Sequence, residues 1–313
     1  MRTMSHRKMT VPVVLTNSSG ILCASQAQVS AIAAGHFDAL ATPEKHSSFD
    51  SSHKQAVERE IDQYSEDIID NDCDFDITLE EVKAVLKDLH NHKCEGSDRQ
   101  PYELYKYSGE EGARVVWRLL RRLFAEEMSP DQWDTTNQIL MLLKDGDPTD
   151  VGNKRGIGVG QPALRKLYSK ILNGRLMATL ERHGSLSQTQ DCFISGCDCP
   201  LFTLSETLAN CKDQRTETFC LFLNFKKAFD TVDHTLLWKK LWDAGVRGRI
   251  FREFCNDLET CVLVNGEPSR RFSIRQGVLQ GDVLSTTLFL VYVNDLLCEV
   301  QALGSGVRVF TNG

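Results

Sequence analysis

Apolar and polar positions change period along the chain. Val82, Val85, Leu86 and Leu89 recur at helical spacing behind Thr78-Leu79-Glu80-Glu81, which has the form of a capping box. Val116, Leu119, Leu120 and Leu123 make a second helical stripe. A third helix is predicted over 163–180, with Leu164, Leu167, Ile171 and Leu172 on one side and Arg165, Lys166, Lys170 and Arg175 elsewhere. The second half reads differently. Residues 219–225 form an apolar run interrupted by Asn224, as expected of a strand buried on both faces. A helix follows over 235–242, with Gly245 as its stop. Residues 261–264 and 270–274 flank Asn265-Gly266-Glu267-Pro268, a hairpin signature, and 288–297 reads as an apolar helix. Helices first, then strands mixed with helices, predict an α+β fold.

Before Thr78 the pattern is weaker. Residues 50–76 are acidic and polar and read as a linker with one helix near 54–64. Arg2, Arg7 and Lys8 precede the short apolar stretch 11–15, which is broken by Thr16-Asn17-Ser18-Ser19-Gly20 and reads as surface rather than a targeting peptide. The longest apolar-rich run, 283–293, is shorter than the ~20 residues a membrane span needs, so no span is expected.

With 313 residues, 41% hydrophobic and 25% charged, the composition is globular and excludes fibrous or wholly disordered classes. The net charge of −7 resides in residues 1–90, with 8 basic and 15 acidic residues; 91–313 carry 28 of each sign. A basic groove would therefore have to be local. Eleven irregularly spaced cysteines read as free thiols of an intracellular protein, cytoplasmic or nuclear. Cys192, Cys197 and Cys199, with His183 nearby, lack the spacing of common zinc modules, so no metal is assigned to them. Gly156-Ile157-Gly158-Val159-Gly160 lacks dinucleotide-binding spacing, and no P-loop occurs.

The sharpest segment is Leu223-Asn224-Phe225-Lys226-Lys227-Ala228-Phe229-Asp230, continued by Thr231-Val232-Asp233-His234. It resembles motif A of reverse transcriptases, above all the LINE-type enzymes of non-LTR retrotransposons. Other segments follow the family's order. Lys93-Cys94-Glu95-Gly96-Ser97-Asp98 resembles an early fingers motif, and Lys144-Asp145-Gly146-Asp147 with Asn153-Lys154-Arg155-Gly156-Ile157 the next one. Gln190-Asp191-Cys192-Phe193-Ile194-Ser195-Gly196 resembles the segment ahead of motif A, and Gln276-Gly277, Gln280-Gly281 and Leu284-Ser285 resemble motif B. The similarity spans about 76–309, with a weaker likeness over 14–40.

The resemblance implies a right-hand polymerase: a linker-like region over 1–75, fingers over 76–215, a partial palm over 216–313 and no thumb. It implies an RNA template and primer DNA as partners, and two Mg²⁺ about 4 Å apart held by carboxylates. Lys144 and Arg155 would grip triphosphate oxygens, Phe229 would gate the ribose, and Gln280 and Gly281 would lie against template and nucleotide. The departures are equally specific. Asn224 stands where the motif A Asp is expected, and Gly313 is reached before any Asp-Asp pair. Leu279 and Thr286 replace the usual Arg and Pro, Cys192 replaces a Gly, and Gly158-Val159-Gly160 replaces a Ser and an apolar pair. The expectation is a reverse transcriptase domain that does not bind catalytic metal. A non-catalytic nucleic-acid-binding remnant and a relic reading frame without a stable fold are the alternatives. Asp230 is expected to cap the next helix or turn, and Lys226 and Lys227 to be a solvated pair as readily as phosphate ligands.

Overall fold

A computed structural model describes residues 13–43, 50–64 and 75–303, apart from 94, 97, 129, 131–132, 134–136, 145, 160, 188–199, 221 and 256–257. The whole motif at 190–196, the cysteines at 192, 197 and 199, and the segments 1–12 and 304–313 lie outside the described residues.

Two hydrophobic cores organise the chain. The larger is helical. Helix α3 (Leu79–Lys87) starts on the predicted box: the Thr78 hydroxyl accepts the Glu81 N–H while the Glu81 carboxylate accepts the Thr78 N–H at 2.8 Å. After the short α4 (Tyr102–Lys106), α5 (Gly109–Glu126) buries Ala113, Val116, Leu120, Leu123 and Phe124, one face at three- and four-residue spacing. These pack with α6 (Ala163–Arg182), α8 (His234–Asp243), α9 (Gly248–Cys255) and α10 (Val283–Ala302), while α7 (Pro200–Asp213) presents Phe202 and Leu208 to solvent. Helix α10 runs twenty residues, longer than the sequence pattern suggested. It is long and apolar enough to cross a membrane by length and composition, but Leu288, Leu290 and Val291 are buried in the protein and it packs on α6 and α8.

Arg175, expected away from the apolar side of its helix, is nonetheless buried. It is 5% exposed. Its guanidinium donates to both Glu81 carboxylate oxygens at 2.7 and 2.9 Å and to the Phe75 carbonyl at 2.6 Å, and it lies 4.2 Å from the Phe75 ring centroid. Helical periodicity places a residue on a face; it does not show that the face is covered by a carboxylate and carbonyls.

The second core lies under a sheet. Strands β3 (Gln138–Leu143) and β4 (Lys154–Val159) form an antiparallel pair, and β5 (Leu258–Val264) joins β3 in parallel with Leu140 opposite Leu263. A tight Asn265-Gly266 turn leads into β6 (Glu267–Pro268), and β7 (Phe272–Ile274) pairs further along β5, so Glu267 and Pro268 belong to the strand rather than the turn. Helix α1 (Gln26–Leu40) packs Val29, Ala33 and Phe37 onto this sheet, near the small β1 (Leu15–Thr16) and β2 (Leu22–Cys23) pair. Gly156 permits that approach, because a Cβ there would sit 2.7 Å from Phe37 and 2.8 Å from Ile139. Helix α2 (Ser51–Tyr64) lies on α8, with Tyr64 stacked on Trp242 at 4.0 Å. Residues 26–40 and 51–64 are thus packed elements rather than linker. The alanine-rich first segment and the polar second one conceal this, because their contacts are distant in the chain.

The described residues of 219–225 do not form the predicted buried strand. Phe219 is 93% exposed, Phe222 78%, Leu223 63% and Phe225 50%, and the described residues there are in neither helix nor strand. An apolar run becomes a central strand only when neighbours supply its backbone partners and cover both faces. No strand among the described residues pairs with it.

Candidate functional site

The motif A and motif B segments meet between the two cores. The turn after Asn224 is closed by the Asp230 and Thr231 N–H groups donating to the Lys227 carbonyl at 2.9 and 3.1 Å. Two residues further on, Asp233 begins α8: its Oδ1 accepts the Leu236 N–H at 3.1 Å, and its Oδ2 accepts Lys54 Nζ at 2.6 Å. The helix cap is therefore Asp233, not Asp230 as the sequence suggested. Asp233 immediately precedes the first helical residue, where a side-chain acceptor reaches the free amides, whereas Asp230 lies a turn too early.

Residues 276–281 clamp this turn. Gly277 N–H donates to the Val232 carbonyl at 2.7 Å, Val278 N–H to the Phe229 carbonyl at 2.8 Å, and Gln276 Nε2 to the Asp230 carbonyl at 3.2 Å. On the opposite side the Gly158 N–H of β4 donates to the Gln280 carbonyl at 2.6 Å. Gly277 has φ +91°, and a Cβ there would approach the Asp230 carbonyl to 3.0 Å. Gly281 has φ +101°, and a Cβ would approach the Gly158 carbonyl to 3.1 Å. Both positions need glycine, for conformation and for space. The early fingers motif reaches the same region: Gly96 packs against the Gln161 carbonyl, and Gln161 Nε2 donates at 2.6 Å to Asp282, the N-cap of α10.

Asp230 lies among cations. Burial pushes its carboxyl above the usual range, while Lys144, Lys227 and Arg155 and a hydrogen bond from Gln280 pull in the other direction without cancelling it. Lys144 follows β3 and closes the hairpin through its N–H to the Asn153 carbonyl at 2.8 Å; Arg155 stands opposite Leu142 on β4. Both side chains are exposed, and neither they nor Lys227 form an ion pair among the described residues. Phe229 stacks on Phe289 of α10 at 5.0 Å and 17°. His36 of α1 also faces the cluster: burial first, then Lys227 and Lys144, hold its pKa below the ordinary value against the opposing effect of Asp150.

The structure thus brings Lys144, Arg155, Gln280 and Gly281 around Asp230, with Phe229 in the adjoining turn. It leaves Asn224 exposed and without a hydrogen bond among the described residues. His36 is an addition to the sequence reading, which took Asp230 for a cap of the next helix or turn. Asp230 was visible in the Ala-Phe-Asp motif, whereas nothing local in the sequence marks His36. A cavity of about 460 Å³ adjoins the cluster, lined by Lys226, Lys227, Asp230, Asp233, Gln276 and Tyr292 among others. A larger one of about 660 Å³ lies elsewhere, between α2, α8 and α10, where Lys239 and Lys240 are already paired with Glu60, Asp243 and Asp295.

A profile of the reverse transcriptase (RNA-dependent DNA polymerase) family matches residues 144–310. The Retrovirus-related Pol polyprotein from type-1 retrotransposable element R2 of Popillia japonica is 32% identical over 177 residues, covering 55% of this chain and 24% of that protein. The RNA-directed DNA polymerase from mobile element jockey of Drosophila melanogaster is 23% identical over 289 residues, covering 90% of this chain and 31% of that protein. A probable RNA-directed DNA polymerase from transposon BS of the same fly is 26% identical over 228 residues, covering 71% and 25%. The matches span 24% to 31% of the length of these relatives. The matched region begins at Lys144, just after β3, and contains β4 and the turn and loop locked together at Asp230, and on these grounds the chain belongs to the reverse transcriptase family, among the LINE-type non-LTR retrotransposon enzymes.

Proposed function

We propose that this chain is a fingers-and-palm portion of a LINE-type reverse transcriptase that holds nucleic-acid or nucleotide phosphates without extending a primer. In this reading 76–215 act as fingers and 216–313 as part of the palm, inside the cell. The observation that carries it is the cluster of Lys144, Arg155 and Lys227 around the buried acid Asp230. Even with Asp150 acting on His36 nearby and Asp233 paired with Lys54, these three cations favour an anion at this place, although residues 91–313 are balanced overall. The other basic candidates, on α6, are engaged within the protein. Lys170 pairs with Asp88 at 2.7 Å, Arg165 donates to the Trp133 carbonyl at 2.5 Å, Lys166 lies over the Tyr102 ring at 5.6 Å, and Arg175 is buried. Phosphate contact therefore falls to Lys144 and Arg155, with Gln280 and Gly281 against the strand being bound and Phe229 flanking them.

The two Mg²⁺ ions of the family do not fit these residues. A hard divalent ion requires anionic oxygens, and Asn224 supplies at most a neutral carbonyl on an exposed segment. Asp230 is the nearby carboxylate, and it accepts from Gln280 inside a ring of cations that repels a further positive charge.

Fluorescence anisotropy with a labelled RNA–DNA template–primer, over a series of salt concentrations, tests the binding. The expected result is affinity that falls steeply with salt; absence of binding at low salt overturns it. A Mg²⁺-containing primer-extension assay tests the second half, and template-dependent incorporation by the purified chain would refute it.

A further inference from the structure

Helix α1 brings a titratable side chain to the phosphate cluster from outside the motifs. Ala39 and Leu40 of α1 help to wall the 460 Å³ cavity that Lys226, Lys227 and Asp230 also line. His36 precedes them by three and four residues, so it stands on the same helical face one turn earlier. Its neighbour Phe37 is anchored in the second core, and α1 packs against the 3₁₀ turn Val151–Asn153, in the loop that follows Lys144. His36 is therefore held, partly buried, within electrostatic reach of Lys144 on one side and Lys227 on the other.

The charges around the ring have both signs. Burial acts most strongly against a proton on it, Lys227 and Lys144 act the same way, and Asp150 acts in its favour. Asp150 is itself engaged, its Oδ1 accepting the Gly152 N–H at 2.8 Å. Elsewhere on α1 and on the sheet beneath it the acids are paired: Asp38 with Arg270 at 2.7 Å, and Glu259 of β5 with Arg271 at 3.1 Å. Arg275, past β7, is exposed, and Lys154 and Arg155 of β4 add further positive charge. An anion seated among Lys144, Arg155 and Lys227 reverses this balance. It offsets the two cations that oppose the proton and places negative charge beside them.

On the reading that these cations hold phosphate, we propose that His36 is a proton-coupled member of the same site. It is neutral when the site is empty, takes up a proton from solvent as a phosphodiester binds, and adds its charge to those of Lys144, Arg155 and Lys227. Proton uptake and phosphate binding then favour each other by the same factor. Because the ring holds its proton more tightly in the complex than in the free chain, affinity rises as pH falls through the histidine range.

Anisotropy of the full chain with labelled RNA–DNA template–primer, from pH 8 to pH 5.5 at constant ionic strength, tests the coupling. Phosphodiesters keep a fixed charge over this range, so the probe does not titrate. Affinity is expected to rise at least about threefold toward pH 5.5. His36→Gln should lose most of that rise, whereas His36→Lys, permanently charged, should bind as tightly at pH 8 as at pH 5.5. Nuclear magnetic resonance of the imidazoles gives a readout on the parent chain itself. The His36 titration midpoint should move up when template–primer is added, and also in the free Lys144→Ala chain, where one opposing cation is gone. Binding that depends on pH equally in parent and His36→Gln overturns this proposal and leaves the phosphate reading standing, as does a His36 midpoint unmoved by template–primer. Absence of binding at every pH overturns both.

Discussion

At the scale of single residues, charge and burial at Asp230 set the behaviour of the site. Its folded-state pKa is raised by burial, against the pull of Lys144, Lys227 and Arg155. The folded chain therefore holds this proton more tightly than the unfolded chain, and stability falls as pH rises through the carboxylate range. Asp230→Asn should accordingly raise the urea midpoint at neutral pH, with the gain vanishing below the ordinary Asp range. The same substitution removes the negative charge competing with phosphate, so template–primer affinity should rise. Lys144→Ala and Arg155→Ala should each weaken that affinity roughly uniformly across sequences and reduce the salt slope by about one, as measured by anisotropy. Both basic residues were legible in the sequence because their spacing matches a motif. His36 was not, since it reaches the cluster from α1, more than a hundred residues away.

Capping and face burial decide which patterned segments become elements. Thr78→Ala should cost about 1 kcal/mol in urea unfolding, because the Glu81 amide loses its acceptor. Glu81 itself is pushed up by burial but pulled further down by Arg175 and the Thr78 N–H, so its pKa is net lowered. Its contribution to stability is therefore present above the ordinary Glu range and lost as pH falls through it. Arg175→Met should cost about 3 kcal/mol or more by leaving that carboxylate without its partner, and its pH profile should flatten on the acid side. The helices at 79–87, 109–126 and 163–182 were readable because stripes and caps are local. Strands β3 and β4 were not: β4 is interrupted by Gly156 and Gly158, and β3 is an apolar run without a strand's alternation, so their pairing shows only where α1 and β5 flank them. Gly156→Ala tests that dependence: contact with Phe37 and Ile139 should destabilise the chain by about 1–3 kcal/mol.

For the whole molecule, the junction between the cores is the narrow point. Residues 276–281 touch the turn at 229–232 on one side and β4 on the other, while the Lys54–Asp233 pair holds α2 to the start of α8. Gly277→Ala combines a positive φ with a 3.0 Å approach to the Asp230 carbonyl and should cost about 1–3 kcal/mol. It should also separate the unfolding transitions seen by far-ultraviolet dichroism and by tryptophan fluorescence, because the tryptophans lie in the helical core.

The sequence by itself determined the family, the helical stripes and the order of the motifs, for these are local patterns that survive in any environment. It also determined the chemistry of position 224, since an amide cannot become an anion in any fold. Tertiary structure alone decided that Arg175 is buried, that Asp233 rather than Asp230 caps α8, and that cations surround Asp230. It likewise decided that the described residues of 219–225 lie in neither helix nor strand. Each of these depends on which distant segment arrives as neighbour, and a side chain's charge state or a strand's existence is a property of the contact rather than of the residue.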